Sequence, residues 1–233
     1  MKAFKVDLDE RENQIMLKSI ARSFNNQAHQ VNEAAEKIHE LIKNAPYSND
    51  NIVLKRNEIK EAFFSPFKPQ LKNAQVFLSH SHADINKALE VKNYLENQIK
   101  RKVFVDSLFW DYKDDVLNKL AKYDDISKIE DAFTLILRES LEYMIKKCPY
   151  FVFLQSSNSV SNQWLSRNQD LLKITYSAWI YEELKIAHSI SESRPIPMME
   201  RMMESMQVFH DISPFLKSFE TITLKKLSQQ INS

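Results

Sequence analysis

The chain of 233 residues contains no glycine. Glycine is the default residue wherever a backbone must take positive φ or let a ligand approach closely. The phosphate-binding P-loop, the dinucleotide fingerprint and the nucleophile elbow all depend on it. None of the three can be built here, so any bound nucleotide must be held by side chains and helix N-termini. Left-handed turn positions are expected to fall to Asn and Asp, which tolerate them best among the remaining residues.

The length suits one domain with a sizeable core plus an extension, or two small domains. Hydrophobic residues make up 43% and charged residues 27%, the balance of a globular protein in water. A formal net charge of +1 gives no electrostatic argument for a nucleic-acid or membrane partner. The single cysteine, Cys148, excludes an internal disulfide and a thiolate metal cluster. It precedes the run "PYFVFL" and reads as a small buried hydrophobe. The N-terminal "MKAFKVDLDERENQ" has no apolar signal core, and no stretch is long enough to span a bilayer. A cytoplasmic protein is expected.

Residues 1–73 read as a polar, helical N-terminal extension. Within it "AHQVNEAAEKIHELIK" carries Val31, Ala35, Ile38 and Ile42 on one stripe. "NAPYSNDN" reads as a loop, and Pro66 and Pro69 mark a linker. The texture changes at Ala74. "AQVFLS", the helical "INKALEVKNYLENQIK" and "KVFVDS" form a βαβ unit, which implies a parallel sheet with a right-handed crossover. "FTLILRESLEYMIKKC" adds a helix and "YFVFLQ" a third buried strand. Residues 156–176 read as a loop leading to a helix over "SAWIYEELKIAHSI", with Ser177 as N-cap. "FETIT" and "LKKLSQQI" close the chain as a strand and a helix. The expected fold is thus α/β, an open parallel sheet over 74–233 flanked by helices.

Open parallel sheets bind ligands outside the carboxyl ends of their strands. Those ends carry Ser79-His80-Ser81-His82, then Asp106-Ser107 with Phe109 and Trp110 behind, then Gln155-Ser156. Ser79, His80, His82 and Asp106 are hydrogen-bonding groups where a purely structural domain needs only turn residues. The helix at 178–190 starts from that edge. At about 100° per residue, Ile180, Leu184, Ile186, Ala187 and Ile190 form an apolar arc beginning at Trp179. Glu183 falls at roughly 40°, inside that arc, one turn after Trp179. Glu182 falls with Tyr181, Lys185 and Ser189 on the opposite side, which is expected to face solvent. A carboxylate on a core-facing stripe is costly unless it is paired or lines a cavity. Glu183 thus either meets an Arg or Lys at the edge of the core or lines a cavity, and the polar strand ends converging on the same rim favour a functional role.

"VFLSHSHAD", "KVFVDS", "YFVFLQSSNSVSNQW" and "SAWIYEEL" together resemble the bacterial branch of the Toll/interleukin-1 receptor (TIR) domain family. The resemblance covers roughly 74–190. It implies a flavodoxin-like sheet and a Trp-x-x-x-Glu arrangement, which falls here on Trp179 and Glu183, followed by Leu184. It also implies cleavage of the nicotinamide–ribose bond of NAD+, the substrate, with no resident cofactor or metal. Glu183 would be catalytic. Ser79, His80, His82, Asp106, Trp110 and Trp179 would bind substrate, the tryptophans through flat rings. Further implications are self-association through the TIR domain, a separate effector protein that senses the product, and a role in anti-phage defence. Two departures from the family pattern stand out. The segment after the second strand, "DSLFWDYKDD", reads as an aromatic, acidic loop over 107–115 without the usual glycine, and 121–133 reads as an insertion.

Two other readings compete. A TIR module used only as a scaffold needs no Glu183, because fold does not fix function. "HSHADI" also resembles the His-x-His-x-Asp-His motif of metallo-β-lactamase-like hydrolases. Its last position is Ile85, however, and His188 and His210 are too few to complete two metal sites.

Overall fold

The structure is a computed structural model that describes residues 1–17, 28–45, 47–48, 51–52, 55–64, 73–123, 125, 127–164, 171–193 and 209–232. The side chains at 28–33, 47–48, 51–52, 64, 108–111, 127–132, 163–164 and 171 fall outside this description, as do Pro66, Pro69 and the Met-rich 196–206. The chain divides into two compact units, 1–23 with 74–107 and 142–233, and 24–73 with 108–141.

The first unit is built on five parallel strands: β1 (Lys2–Asp7), β2 (Val76–His80), β3 (Val103–Val105), β4 (Tyr150–Gln155) and β8 (Glu220–Thr221). Their order is β3-β2-β4-β1-β8. The four strands expected from sequence, the last of them in "FETIT", lie where expected. Val76 aligns with Val103 and with Tyr150, and Leu78 with Val105 and Val152. Every residue of β2 and β3 is buried. These continuous apolar runs fit a parallel sheet covered on both faces. Phe77 stacks between Phe104 and Phe151, with ring centroids 5.7 Å away on each side. Cys148 is buried beside this core, and burial pushes its thiol up to about 12.

Helices α1 (Arg11–Leu17), α4 (Ile85–Asn97), α7 (Ala178–Ser191), α8 (Ser213–Ser218) and α9 (Leu224–Asn232) accompany this sheet. A small antiparallel sheet adds β5 (Ser161–Trp164), β6 (Leu171–Thr175) and β7 (His210–Asp211), in the order β5-β6-β7. The second unit holds α2 (Ala28–Lys43), α3 (Arg56–Phe64), most of α5 (Ser107–Leu120) and the first part of α6 (Ser127–Lys147). Its core joins Phe63, Tyr112 and Phe133 through edge-on ring contacts, and Tyr112 Oη donates to the Phe63 carbonyl at 3.1 Å.

Four expectations are corrected. Residues 2–7 are not helical: alternating apolar Phe4, Val6 and Leu8 are buried, and β1 pairs with β4 on one side and β8 on the other. Residues 107–115 are not a loop but the start of α5, where Tyr112, Val116 and Leu120 repeat at helical spacing and are buried. The loop at 156–176 contains a β-ladder, with Ser161 opposite Ile174. Positive φ falls among the described residues on Lys100 (59°) and Ser193 (55°), not on Asn or Asp. Both follow helix ends, where a left-handed residue closes the last turn. At the first, Arg101 N–H reaches back to the Leu95 carbonyl at 3.2 Å.

Candidate functional site

Helix α7 starts at Ser177, whose Oγ accepts from the Ile180 N–H at 3.3 Å. That cap satisfies one of the free donors of the first turn. The helix packs on β1, β2, β6 and α8, so it is covered on more sides than an amphipathic pattern anticipates. Glu183 is 0% exposed, as its place in the apolar arc requires. Glu182 is 4% exposed, which overturns the expectation that it faces water. The small sheet and α8 cover that side. Glu182 accepts from Lys185 Nζ at 3.3 Å, and the same ammonium lies 5.4 Å over the Tyr181 ring. Tyr181 stacks on His210 of β7, with centroids 4.7 Å apart, and touches Phe215 of α8. Burial holds the His210 imidazole below its ordinary range, and the Glu182 carboxylate opposes that shift.

The carboxyl ends of β2, β3 and β4 bring several candidates together. His80 and Asp106 are both buried, with His80 Nδ1 at 2.5 Å from Asp106 Oδ1. Asp106 Oδ1 also accepts from the Ser107 N–H at 2.7 Å, and Oδ2 from the His80 N–H at 3.3 Å. Ser79 is fully buried and aligned with Phe153 of β4. The hydroxyls of Ser79 and Ser107 and the Gln155 Oε1 are buried without a partner among the described residues. Unsatisfied buried polar atoms are rare in folded proteins and mark places where a further group is accepted. Helix α7 packs on β2, the strand that ends in Ser79-His80. His82 stands apart, exposed in a 3-10 turn, and Trp179 is half-buried on the first turn of α7. The side chain of Trp110 lies outside the described residues.

Asp84 was not singled out from sequence, yet it organises this rim. Its buried carboxylate accepts from Ser156 Oγ and, at 3.0 Å, from Asn158 Nδ2, while Lys87 Nζ lies 3.8 Å away. Lys87 also reaches Asp9 at 3.5 Å, and Asp9 Oδ2 accepts from the Ser157 N–H at 2.8 Å. That backbone bond is the main reason the Asp9 carboxyl is held below its ordinary range. The loops after β1, β2 and β4 are thereby tied together. The available signal was position: Asp84 ends the turn "SHAD", immediately before α4.

Among the described residues, no group of three or more His, Cys, Asp and Glu is placed to hold a metal ion. No described helix is long and apolar enough to cross a membrane. The chain matches no protein-family model, no curated protein and no solved structure.

Proposed function

We propose that this chain is a TIR-type NAD+ nucleosidase, with Glu183 as the catalytic anion. The observation that carries the reading is the full burial of Glu183 on α7, one turn after Trp179, on a helix packed against the first sheet strands. The sheet supports it as well. A flavodoxin-like order of 2-1-3-4-5 corresponds to β3-β2-β4 in its first three places and to β8 in its last. The fourth place is taken by β1, from the chain's beginning.

In this reaction the C1′–N bond of the nicotinamide riboside breaks and its electron pair stays with nicotinamide, which leaves neutral. The ribosyl centre becomes oxocarbenium-like, and a carboxylate in a low-dielectric setting stabilises that charge without any acid. Water then adds to give ADP-ribose and a proton, or a group of the same nucleotide adds to give a cyclic product. Trp179 would offer a ring face to a base, and Ser79, His80 and His82 would offer hydrogen bonds to ribose or phosphate oxygens. Self-association would bring α5 residues such as Trp110 to a neighbouring copy, and a separate effector would read the product in anti-phage defence.

The test is incubation of the full chain with NAD+, with products identified by mass. Glu183→Gln keeps shape and removes the anion, so nicotinamide release should fall at least ~10²-fold, the scale of one lost transition-state contact. Undiminished release would reject the assignment. A non-catalytic scaffold draws on the same burial; under that reading neither wild type nor variant releases nicotinamide, and only the melting temperature changes.

A further inference from the structure

We propose that Gln155, together with Ser79, reads the carboxamide of the leaving nicotinamide and so sets which dinucleotide the site accepts. This rests on the NAD-cleaving reading. Ser79 is 0% exposed, and neither its Oγ nor the buried Oε1 of Gln155 has a hydrogen-bond partner among the described residues. Leaving a buried hydroxyl or acceptor unmet is costly, so the pair favours a group that meets both.

Side chains alternate between the two faces of a sheet, and residues aligned across parallel strands share a face. Ser79 aligns with Phe153, two residues before Gln155, so Ser79, Phe153 and Gln155 point to the same side. Lys5 aligns with Phe153 from the other neighbour, β1, and points there too. Lys5 Nζ donates to the Leu216 carbonyl of α8 at 2.9 Å, and the Phe219 ring, just after α8, lies 5.7 Å from that of Phe151. Helix α8 therefore covers this face. Helix α7 packs on α8 and also on β1 and β2, so it lies on the same face and brings Glu183 to it. The chain path agrees. The connections from β2 to β3 and from β4 to β8 cross the sheet in opposite directions, and right-handed crossovers then put α4 on one face and α7 on the other.

The carboxamide is carried by the ring that leaves, so the groups that read it must share a face with the anion that stabilises the ribosyl charge. A primary carboxamide donates through its nitrogen and accepts through its oxygen. Gln155 Oε1 is an acceptor for that N–H, and the Ser79 hydroxyl is a donor for that carbonyl. Gln155 is half-buried, and rotation of a partly exposed side chain is fast, so its amide can turn to admit the ring. The nicotinic acid counterpart lacks the N–H and sets a carboxylate against Oε1, which leaves the acceptor without a donor.

The experiment compares kcat/KM of the full chain for NAD+ and for nicotinic acid adenine dinucleotide. The two substrates differ in leaving ability, but that difference is common to all variants and cancels when their ratios are compared. Gln155→Met keeps length and removes the amide, so the preference for NAD+ should fall at least ~10-fold, with the loss on NAD+. Ser79→Ala should move the ratio in the same direction, and it carries the test where Gln155→Met fails to fold. An unchanged ratio, or equal losses on both substrates, would make the pair structural and overturn the proposal while the NAD reading stands. If the wild type cleaves neither dinucleotide, the NAD reading fails, and binding of free nicotinamide, followed by saturation-transfer NMR, decides the rest. Binding that is lost in the variants and absent for nicotinic acid would uphold the carboxamide site. No binding to the wild type, or equal binding of the acid, would overturn it.

Discussion

Glu182 meets a cation of its own helix, and that contact separates its role from that of Glu183. Lys185 lies 3.3 Å away, and both members of the pair are nearly excluded from water. Glu182→Gln would leave Lys185 charged, buried and without its carboxylate, at a cost of about 1–3 kcal/mol. The melting temperature should fall by several degrees while nicotinamide release per folded molecule stays near wild type. An unchanged melting temperature would contradict the buried pair. Cys148 supplies the pH-dependent counterpart. Its thiol ordinarily titrates near 9.0 and is pushed up to about 12 in the fold by burial, with Lys147 opposing. The folded chain therefore keeps a proton that the unfolded chain releases, and the sign is fixed. This contribution to stability is whole below about pH 9 and is lost as pH rises toward 12. Melting temperatures measured upward from pH 9 should fall more steeply for the wild type than for Cys148→Ala; parallel slopes would show that the thiol is not held protonated.

Where a helix of this glycine-free chain closes on a left-handed residue, that residue carries a side chain that disfavours the conformation. At Lys100 (φ 59°), just after α4, the Arg101 N–H bonds the Leu95 carbonyl at 3.2 Å, one residue further back than the bond of a Schellman ending. A side chain at that position costs roughly 1–2 kcal/mol; glycine removes this strain, and a freer unfolded chain offsets about 0.4–1 kcal/mol of the gain. Lys100→Gly should raise stability by about 0.5–1 kcal/mol, or a few degrees in Tm. A fall in Tm would mean that the Lys100 side chain makes a stabilising contact larger than the strain. Other elements vary in how plainly the sequence announces them. "VFLSH", "VFV" and "YFVFLQ" are uninterrupted apolar runs ending in polar turns, so β2, β3 and β4 were readable. The α7 arc located Glu183 for the same reason, since its apolar neighbours repeat at helical spacing. Glu182 was misjudged because β7 and α8 come from far along the chain and cover a face that the helix alone leaves polar. The His80–Asp106 pair was visible only as two polar strand ends; their 2.5 Å contact depends on the register of β2 against β3.

At the scale of the whole molecule, the first strand decides which part of the chain can fold alone. The family-like motifs all lie after Ala74, yet the first compact unit also contains residues 1–23. Strand β1 sits between β4 and β8, in register with β4 from Lys2–Tyr150 to Asp7–Gln155. Beyond the ladder, the Leu8 N–H donates to the Gln155 carbonyl at 2.7 Å, and the Ile222 N–H donates to the Lys5 carbonyl at 3.0 Å. Asn13 links further elements: its Nδ2 donates to the Asp7 carbonyl at 2.8 Å, and its Oδ1 accepts the Leu224 N–H at 2.9 Å. Phe4, Val6 and Leu8 are at most 1% exposed, and burying three such side chains stabilises by about 5–9 kcal/mol. That is comparable with the whole stability of an ordinary domain, about 5–15 kcal/mol. Without β1, the edge of β4 is open, β8 has no strand to pair with, and the rim loops lose the Asp9 tie to Ser157. A chain of residues 74–233 should therefore retain every motif and Glu183 yet fail to melt cooperatively, and it should release no nicotinamide where the full chain does. Circular dichroism melts of the two lengths provide the check. A cooperative transition for 74–233 within a few degrees of the full chain would show that β1 is an accessory strand and that the sheet closes without it.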